Sequence, residues 1–203
     1  MKDDSRNILW INFKNGKNDS LSLLYKEYAD ELYSYGMKIT GDENLVKDCI
    51  QEVFIHLIDK RKTLSITPTI HIYLFKSLRN KLFEELRSKN RKQNIITQFS
   101  EFEFEYESHA EQKIIEAEES ENIAKKIRSS IEKLSNHQKE IIYLKYTKGF
   151  SYDKIAELLQ IDKASARTLL YRTLKILKEQ LSNNILILLV LTYFLFKQKR
   201  SES

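Results

Sequence analysis

The sequence predicts an all-α protein of two helical domains, an N-terminal helical bundle and a C-terminal helix-turn-helix domain, joined by an acidic extended linker. The 203 residues include one proline and four glycines, and so few breakers favour long helices. Apolar residues recur every three or four positions through both predicted domains, which is the period of an α-helix. Leu, Lys and Glu are abundant, and all three favour helices.

Charge is distributed unevenly along the chain, although the net charge is +5. Residues 1–98 carry +4, residues 99–122 carry −8, and residues 123–182 carry +7. Two basic blocks therefore flank an acidic block. This arrangement indicates a protein that contacts more than one kind of surface.

The residue types present exclude several classes of function. Cys49 is the single cysteine and the four histidines are scattered, so the sequence offers no disulfide framework and no zinc site. It also contains no glycine-rich phosphate loop and no nucleophile elbow. We therefore predict that the protein is not an enzyme and needs no cofactor. The polar N-terminus and the lone cysteine predict a cytoplasmic protein without a signal peptide.

Three helices are predicted in the N-terminal domain, residues 1–93. They cover residues 20–40, 43–60 and 68–92, and residues 61–67 form a loop. Asp42 is a favourable N-cap for the second helix, and Pro68 suits the first position of the third.

Two segments are predicted to lack regular structure. Residues 1–18 are expected to be loosely ordered, with Trp10, Ile11 and Phe13 docking locally. In residues 94–121, Phe and Glu alternate with the period of a strand, but no partner strand is predicted, so we interpret this segment as the extended linker. Its acidic side chains suit either a basic channel that normally holds nucleic acid or a solvated spacer.

The third helix combines basic and aromatic residues. Basic side chains follow a phosphate backbone, and aromatic rings stack on unpaired bases for about 1–3 kcal/mol each. This combination suits single-stranded or locally opened DNA; the alternative is that the rings form core and the charges a solvated face. The candidate residues are Tyr73, Lys76, Arg79, Phe83, Arg87 and Arg91.

The C-terminal domain, residues 122–182, contains a capping box at Ser135–Gln138. Residues 151–172 then form a helix, a tight turn and a second helix with a basic outer side. This is the pattern of a helix-turn-helix, whose second helix lies in the DNA major groove; an ordinary surface helix is the alternative. The candidate DNA-binding residues are Lys163, Ser165, Arg167, Thr168, Tyr171, Arg172 and Lys175.

The C-terminal tail, residues 183–203, is apolar and then basic. Residues 185–196 are apolar except for Thr192, and as a helix they would span about 18 Å against roughly 30 Å of bilayer hydrocarbon. We therefore expect burial against protein, in the groove of the C-terminal domain or on a partner, rather than membrane association.

Three motifs in this order resemble the extracytoplasmic-function (ECF) group of the sigma-70 family of bacterial RNA polymerase sigma factors. Asp48-Cys-Ile-Gln-Glu-Val-Phe54 is similar to the family's Asp-x-x-Gln-Glu-x-Phe signature. Leu78-Arg-Asn-Lys81 is similar to the stretch that opens and reads the −10 element. Leu134-Ser-Asn-His-Gln138 is similar to part of the domain that reads the −35 element. The resemblance covers residues 20–181.

The resemblance implies roles for residues in both domains. Asp48, Gln51, Glu52 and Phe54 would bind the β′ clamp of core polymerase. Thr67 would lie in the loop that holds a flipped base, and Asn80 would join the −10 residues. The implied partners are core RNA polymerase, through its β′ clamp and β flap, and promoter DNA, both duplex and melted. An anti-sigma or other recruiting protein is a further candidate partner.

The sequence departs from the family pattern at three C-terminal positions, Gln160, Ala166 and Leu169. These departures suggest that promoter choice leans on the −10 domain or on a recruiting protein. We predict an alternative sigma factor that binds core polymerase and directs promoter-specific initiation. A stand-alone helix-turn-helix regulator that does not join polymerase is the second hypothesis, and a membrane-associated adaptor that uses the tail is the third.

Overall fold

The computed structural model describes residues 2–17, 19–64, 70–92, 104 and 126–181. Within these ranges the protein consists of helices and turns, with no strand, as the sequence predicts. The chain divides into an N-terminal and a C-terminal unit.

The first helix corrects the prediction that residues 1–18 are loosely ordered. Helix α1 spans Lys2–Lys14. Trp10 and Phe13 are buried, and their rings stack with centroids 5.5 Å apart. Ile11, which we expected to dock beside them, is 40% exposed. Burial of these two large aromatic side chains stabilises a helix of 13 residues, a length that is marginal for an isolated helix.

Helices α2 (Ser20–Thr40) and α3 (Glu43–Asp59) agree with the predicted bounds. Gly41 separates them in the left-handed conformation at φ 64°, which favours glycine. The Leu45 N–H donates to the Asp42 carboxylate at 3.0 Å, so Asp42 is the predicted N-cap. The two helices approach closely at Gly36, where an added Cβ would lie 2.7 Å from Cγ1 of Val46.

Helix α4 spans Ile70–Lys92 and completes the N-terminal bundle. Its buried side chains face the core and include Ile70, Ile72, Leu74, Phe75, Leu78 and Leu82. The predicted opening of this helix at Thr67 and Pro68 lies outside the described residues. Phe104 is buried in the same unit, with its ring 6.5 Å from that of Tyr35. One residue of the predicted linker therefore packs on the bundle.

The C-terminal unit begins, in its described part, with helix α5 at residues 126–132. Helix α6 (Asn136–Ile142) follows, with the predicted capping box between Ser135 and Gln138. It continues as a π-helical turn, Tyr143–Thr147, which the sequence did not predict. The segment ends at Gly149, whose φ of 69° is left-handed.

Helices α7 (Tyr152–Leu159) and α8 (Lys163–Gln180) form the predicted helix-turn-helix. Gln160 turns the chain in the left-handed conformation at φ 57° and ψ 44°. Asp162 caps α8 by accepting from the Ser165 N–H at 2.7 Å. The buried face of α8 includes Ala166, Leu170, Thr173 and Leu177.

No helix among the described residues is both long enough and apolar enough to cross a membrane. The apolar tail, whose burial against protein we predicted, lies outside the described residues.

Candidate functional site

The outer face of α3 presents three of the four residues that the resemblance assigns to polymerase. Asp48, Gln51 and Glu52 are exposed, and their spacing of three and four residues places them on one side of the helix. Phe54 is buried instead, with its ring 5.0 Å from that of Tyr25 in an edge-on arrangement. In this structure Phe54 therefore packs inside the bundle and does not present a contact surface.

Two further residues extend this α3 face, and the sequence reasoning missed both. Ile55 and Ile58 are 49% and 46% exposed. They lie one and two turns beyond Gln51 on the same side of the helix. The available signal was their position off the buried stripe, because Val53, Phe54 and Leu57 supply the core contacts there. The α3 face thus combines carboxylates with exposed apolar side chains.

A cation from α4 lies against this face. The Lys81 Nζ is 2.7 Å from Oε2 of Glu52 and 3.0 Å from Oε1 of Glu85. Hydrogen bonds to Glu52 and then to Glu85 raise the pKa of Lys81 well above its ordinary value, so the ammonium stays charged. Sequence reasoning could not find this cluster, because it depends on how α3 and α4 pack.

Cys49 lies close to the same carboxylates. Burial raises the pKa of the Cys49 thiol to about 11, with further contributions from the charges of Glu52 and Glu85. The thiol therefore remains protonated at neutral pH. Since the thiolate is the reactive form, Cys49 serves as a small core residue.

Five of the predicted −10 residues share one face of α4. They follow one another at spacings of three and four residues, so they form a single stripe. These residues are Tyr73, Lys76, Asn80, Phe83 and Arg87. Asn80 and Arg87 are exposed, and the other three are half-buried. We call these five residues the α4 stripe. It alternates rings with polar and cationic groups, which is the composition that single-stranded nucleic acid requires.

Arg79 does not join this stripe. Its side chain is only 8% exposed, and its guanidinium carbon lies 4.5 Å from the centroid of the Phe83 ring. In this structure Arg79 is therefore buried and makes a cation–π contact, and its assignment to −10 DNA binding stays a prediction. Thr67 and the side chain of Arg91 lie outside the described residues.

Part of the aromatic content of α4 belongs to the core, as the alternative interpretation held. Phe75 is fully buried, and its ring lies 5.1 Å from that of Tyr35 and 4.8 Å from that of His71. The Nε2 atom of His71 lies 2.9 Å from a carboxylate oxygen of Glu31. These contacts hold α4 against α2 and leave the α4 stripe on a different side of the helix.

All seven predicted −35 residues are exposed on α8, but four of them contact other groups of the same unit. Lys163 lies 2.8 Å from Asp153, and the Ser165 hydroxyl donates to the Asp162 carboxylate at 2.6 Å. The guanidinium of Arg167 lies 5.5 Å from the ring centroid of Tyr152. The fourth, Lys175, is 3.9 Å from Glu179.

The remaining three residues, Thr168, Tyr171 and Arg172, form a continuous outward patch. Tyr171 is 70% exposed, and Arg172 makes no ion pair with any described residue. Their spacing places them on the same side of α8. A guanidinium and two hydroxyl groups in this position can donate to base edges and phosphates in a major groove.

Comparison with known families matches both units of the chain. Residues 24–92 match the family described as Sigma-70 region 2, and residues 124–177 match the family described as Sigma-70, region 4. The first match contains α3 and α4 with their candidate residues. The second contains α7 and most of α8.

Two curated relatives come from Bacillus subtilis (strain 168). The ECF RNA polymerase sigma factor SigX is 23% identical over 168 residues, covering 80% of this chain and 84% of its own length. The ECF RNA polymerase sigma factor SigM is 24% identical over 163 residues, covering 76% of this chain and 91% of its own length.

Two solved structures share the fold. CnrH, in complex with the cytosolic domain of CnrY, is 17% identical with a TM-score of 0.56, covering 85% of this chain and 94% of its own. The sigma factor RpoE from Bartonella quintana, in complex with the anti-sigma factor NepR, is 15% identical with a TM-score of 0.56, covering 81% of this chain and 98% of its own.

Proposed function

Because this chain belongs to the extracytoplasmic-function group of the sigma-70 family and is an alternative sigma factor, we propose that α3 docks core RNA polymerase while α4 opens the −10 element. The observation that carries this proposal is the arrangement of the N-terminal bundle. One pair of packed helices presents an acidic docking face on α3 and the α4 stripe beside it. A stand-alone regulator has no need of the first surface.

In the docking step, Asp48, Gln51 and Glu52 receive basic and polar groups of the β′ clamp. Charged groups at such an interface supply specificity and speed the encounter. Ile55 and Ile58 add apolar area beside them, while Phe54 supports α3 from the core.

In the melting step, the α4 stripe captures unpaired bases. Extruding a base costs a few kcal/mol, and stacking on Tyr73 and Phe83 returns about 1–3 kcal/mol each. Lys76 and Arg87 hold phosphates, and Asn80 bonds a base edge. The stacking energy is gained only when the −10 sequence opens and its bases fit against the α4 stripe. Recognition of the sequence and melting of the duplex therefore become a single event.

In the upstream step, α8 lies in the major groove at the −35 element. Thr168, Tyr171 and Arg172 make the contacts that need no internal rearrangement. Lys163 and Arg167 exchange their internal partners for phosphates. The C-terminal domain also contacts the β flap, which holds this domain over the upstream DNA.

The domain assignment follows from these roles. Residues 1–93 form the region 2-like domain, 94–121 the acidic linker that threads toward the active-site cleft, 122–182 the region 4-like domain, and 183–203 the tail. The protein acts in the cytoplasm as an initiation factor, and polymerase performs the catalysis. Both solved neighbours are complexes, which supports control of this chain by an anti-sigma protein.

Run-off transcription with purified core polymerase over a promoter library tests the proposal. We expect new start sites with the wild-type chain and none with Glu52→Lys, because the reversed charge repels a basic clamp surface and weakens core affinity by about tenfold or more. Asp30→Lys, on an exposed position of α2, is the matched control and should leave transcription unchanged. Specific promoter binding without core polymerase, and no core association, would instead identify a stand-alone regulator.

A further inference from the structure

Glu52 is not an isolated carboxylate on the α3 face. Its Oε2 atom lies 2.7 Å from the Lys81 Nζ. Glu85, one turn after Lys81 on α4, holds the same ammonium through an oxygen 3.0 Å away. Lys81 therefore joins a carboxylate of the docking helix to the helix that carries the α4 stripe.

The two carboxylates differ in how far they reach into solvent. The Glu52 side chain is 54% exposed and the Glu85 side chain is 36% exposed, while the Lys81 side chain that contacts both is 25% exposed. The Lys81 ammonium thus contacts Glu85 on its own helix and Glu52 on α3. A carboxylate has about four acceptor positions on its two oxygens, so Oε1 of Glu52 stays available to a donor from another protein.

We propose that Lys81 is a positioning residue for polymerase docking, which fixes the Glu52 carboxylate in the orientation that core polymerase binds and links α3 to α4. This inference rests on the proposed function. Nothing in the sequence motif around Asp48–Phe54 requires a cation on α4, so the contact is a feature of the folded bundle.

The physical reason is preorganisation. A free glutamate samples several rotamers, and ordering such a side chain on binding reduces affinity. Lys81 has already ordered Glu52 before polymerase arrives. Without Lys81, the Glu52 carboxylate would face Glu84 and Glu85 as like charges and would turn away from α4.

The opposite effect, in which Lys81 competes with polymerase for Glu52, is disfavoured by the same geometry. Lys81 uses one oxygen of Glu52 and keeps Glu85 as a second partner. A basic group of polymerase can therefore approach the other oxygen without displacing it. The pKa of Lys81 is raised by hydrogen bonds to both carboxylates, so its charge persists at any pH suited to transcription.

A double-mutant cycle on the full chain tests this inference, with affinity for purified core polymerase as the readout and no DNA present. Lys81→Met should weaken core binding by about three- to tenfold, the cost of ordering one long side chain. Lys81→Arg keeps a cation in reach of Glu52 and should recover most of the affinity. The double variant Glu52→Gln with Lys81→Met should bind no more weakly than Glu52→Gln alone, because Lys81 acts through Glu52.

The matched control is Lys89→Met. Lys89 also joins α4 to α3, through a 2.9 Å contact with Asp42, but Asp42 lies at the start of α3 outside the docking face. This variant should bind core polymerase as the wild type does, while both Met variants retain similar thermal unfolding.

The outcomes distinguish a failure of the docking assignment of Glu52 from a failure of the positioning role of Lys81. If Glu52→Gln leaves core affinity unchanged, the docking assignment itself fails. If Glu52→Gln weakens binding but Lys81→Met does not, or if the two losses multiply as independent effects, the positioning role of Lys81 is refuted. Tighter binding by Lys81→Met would show that Lys81 competes with polymerase.

Discussion

Replacing Gln160 with glycine should stabilise the helix-turn-helix. Gln160 holds φ 57° and ψ 44°, a left-handed conformation that costs an L-residue roughly 1–2 kcal/mol. Glycine avoids that cost but loses about 0.5–1 kcal/mol more backbone entropy on folding. The midpoints of the two ranges differ by about 0.75 kcal/mol in favour of glycine, which for a unit of this size raises the melting temperature by about 3–6 °C.

Thermal unfolding of the full chain, followed by circular dichroism, measures this gain as a shift of the C-terminal unit's transition. Gln180→Gly is the matched control, because Gln180 is an exposed helical residue at the end of α8. Glycine there should be neutral or destabilising. If Gln160→Gly lowers the melting temperature as Gln180→Gly does, the left-handed turn is not a source of strain and the reasoning is wrong.

Three other perturbations have definite expected results. Gly36→Ala should destabilise the N-terminal bundle by about 1–3 kcal/mol, because the new Cβ overlaps Val46; urea unfolding measures the loss, and Val46→Ala should reduce it. Arg172→Ala should weaken −35 binding by about 1–3 kcal/mol if Arg172 reads a base, as footprinting of the holoenzyme would show; an unchanged footprint contradicts that role. Hydrogen bonds from Ser165 lower the pKa of Asp162, so its stabilising effect is full above its unfolded pKa of about 3.9 and is lost as the pH falls through the lower folded value. Asp162→Asn should remove that acid dependence in a pH series of unfolding curves, and an unaltered series would contradict it.

Features set by local sequence were predicted well. Each of these features depends on residues within a few positions of one another. They are the bounds of α2, the caps at Asp42 and Ser135, and the turn at Gln160. Local spacing also predicted the burial of Ala166 and Leu170 and the exposure of the seven α8 residues.

Features set by tertiary packing were missed or misassigned. Helix α1 buries Trp10 and Phe13, and whether those rings reach a core depends on tertiary packing that the local sequence does not show. Arg79 has the sequence context of a DNA-binding cation, yet its position in the bundle places it over Phe83. The contact of Lys81 with Glu52 joins residues 29 positions apart in sequence, so only the packing of α3 on α4 reveals it.

The structure changes the reason for expecting a weak −35 contact. Ala166 is buried and Gln160 forms the turn, so these two departures from the family pattern do not remove a DNA-facing group. Two of the predicted α8 contact residues already have internal partners, since Lys163 pairs with Asp153 and Arg167 lies over Tyr152.

On α4, Lys76 makes no ion pair with a described residue, as is true of Arg172 on α8. Phosphate contacts supply most of the salt-dependent affinity for DNA, and Lys163 and Arg167 must first leave an internal partner to make one, whereas Arg172 need not. This difference in pairing supports the proposal that promoter choice leans on the −10 element and on the bases that the α4 stripe would read.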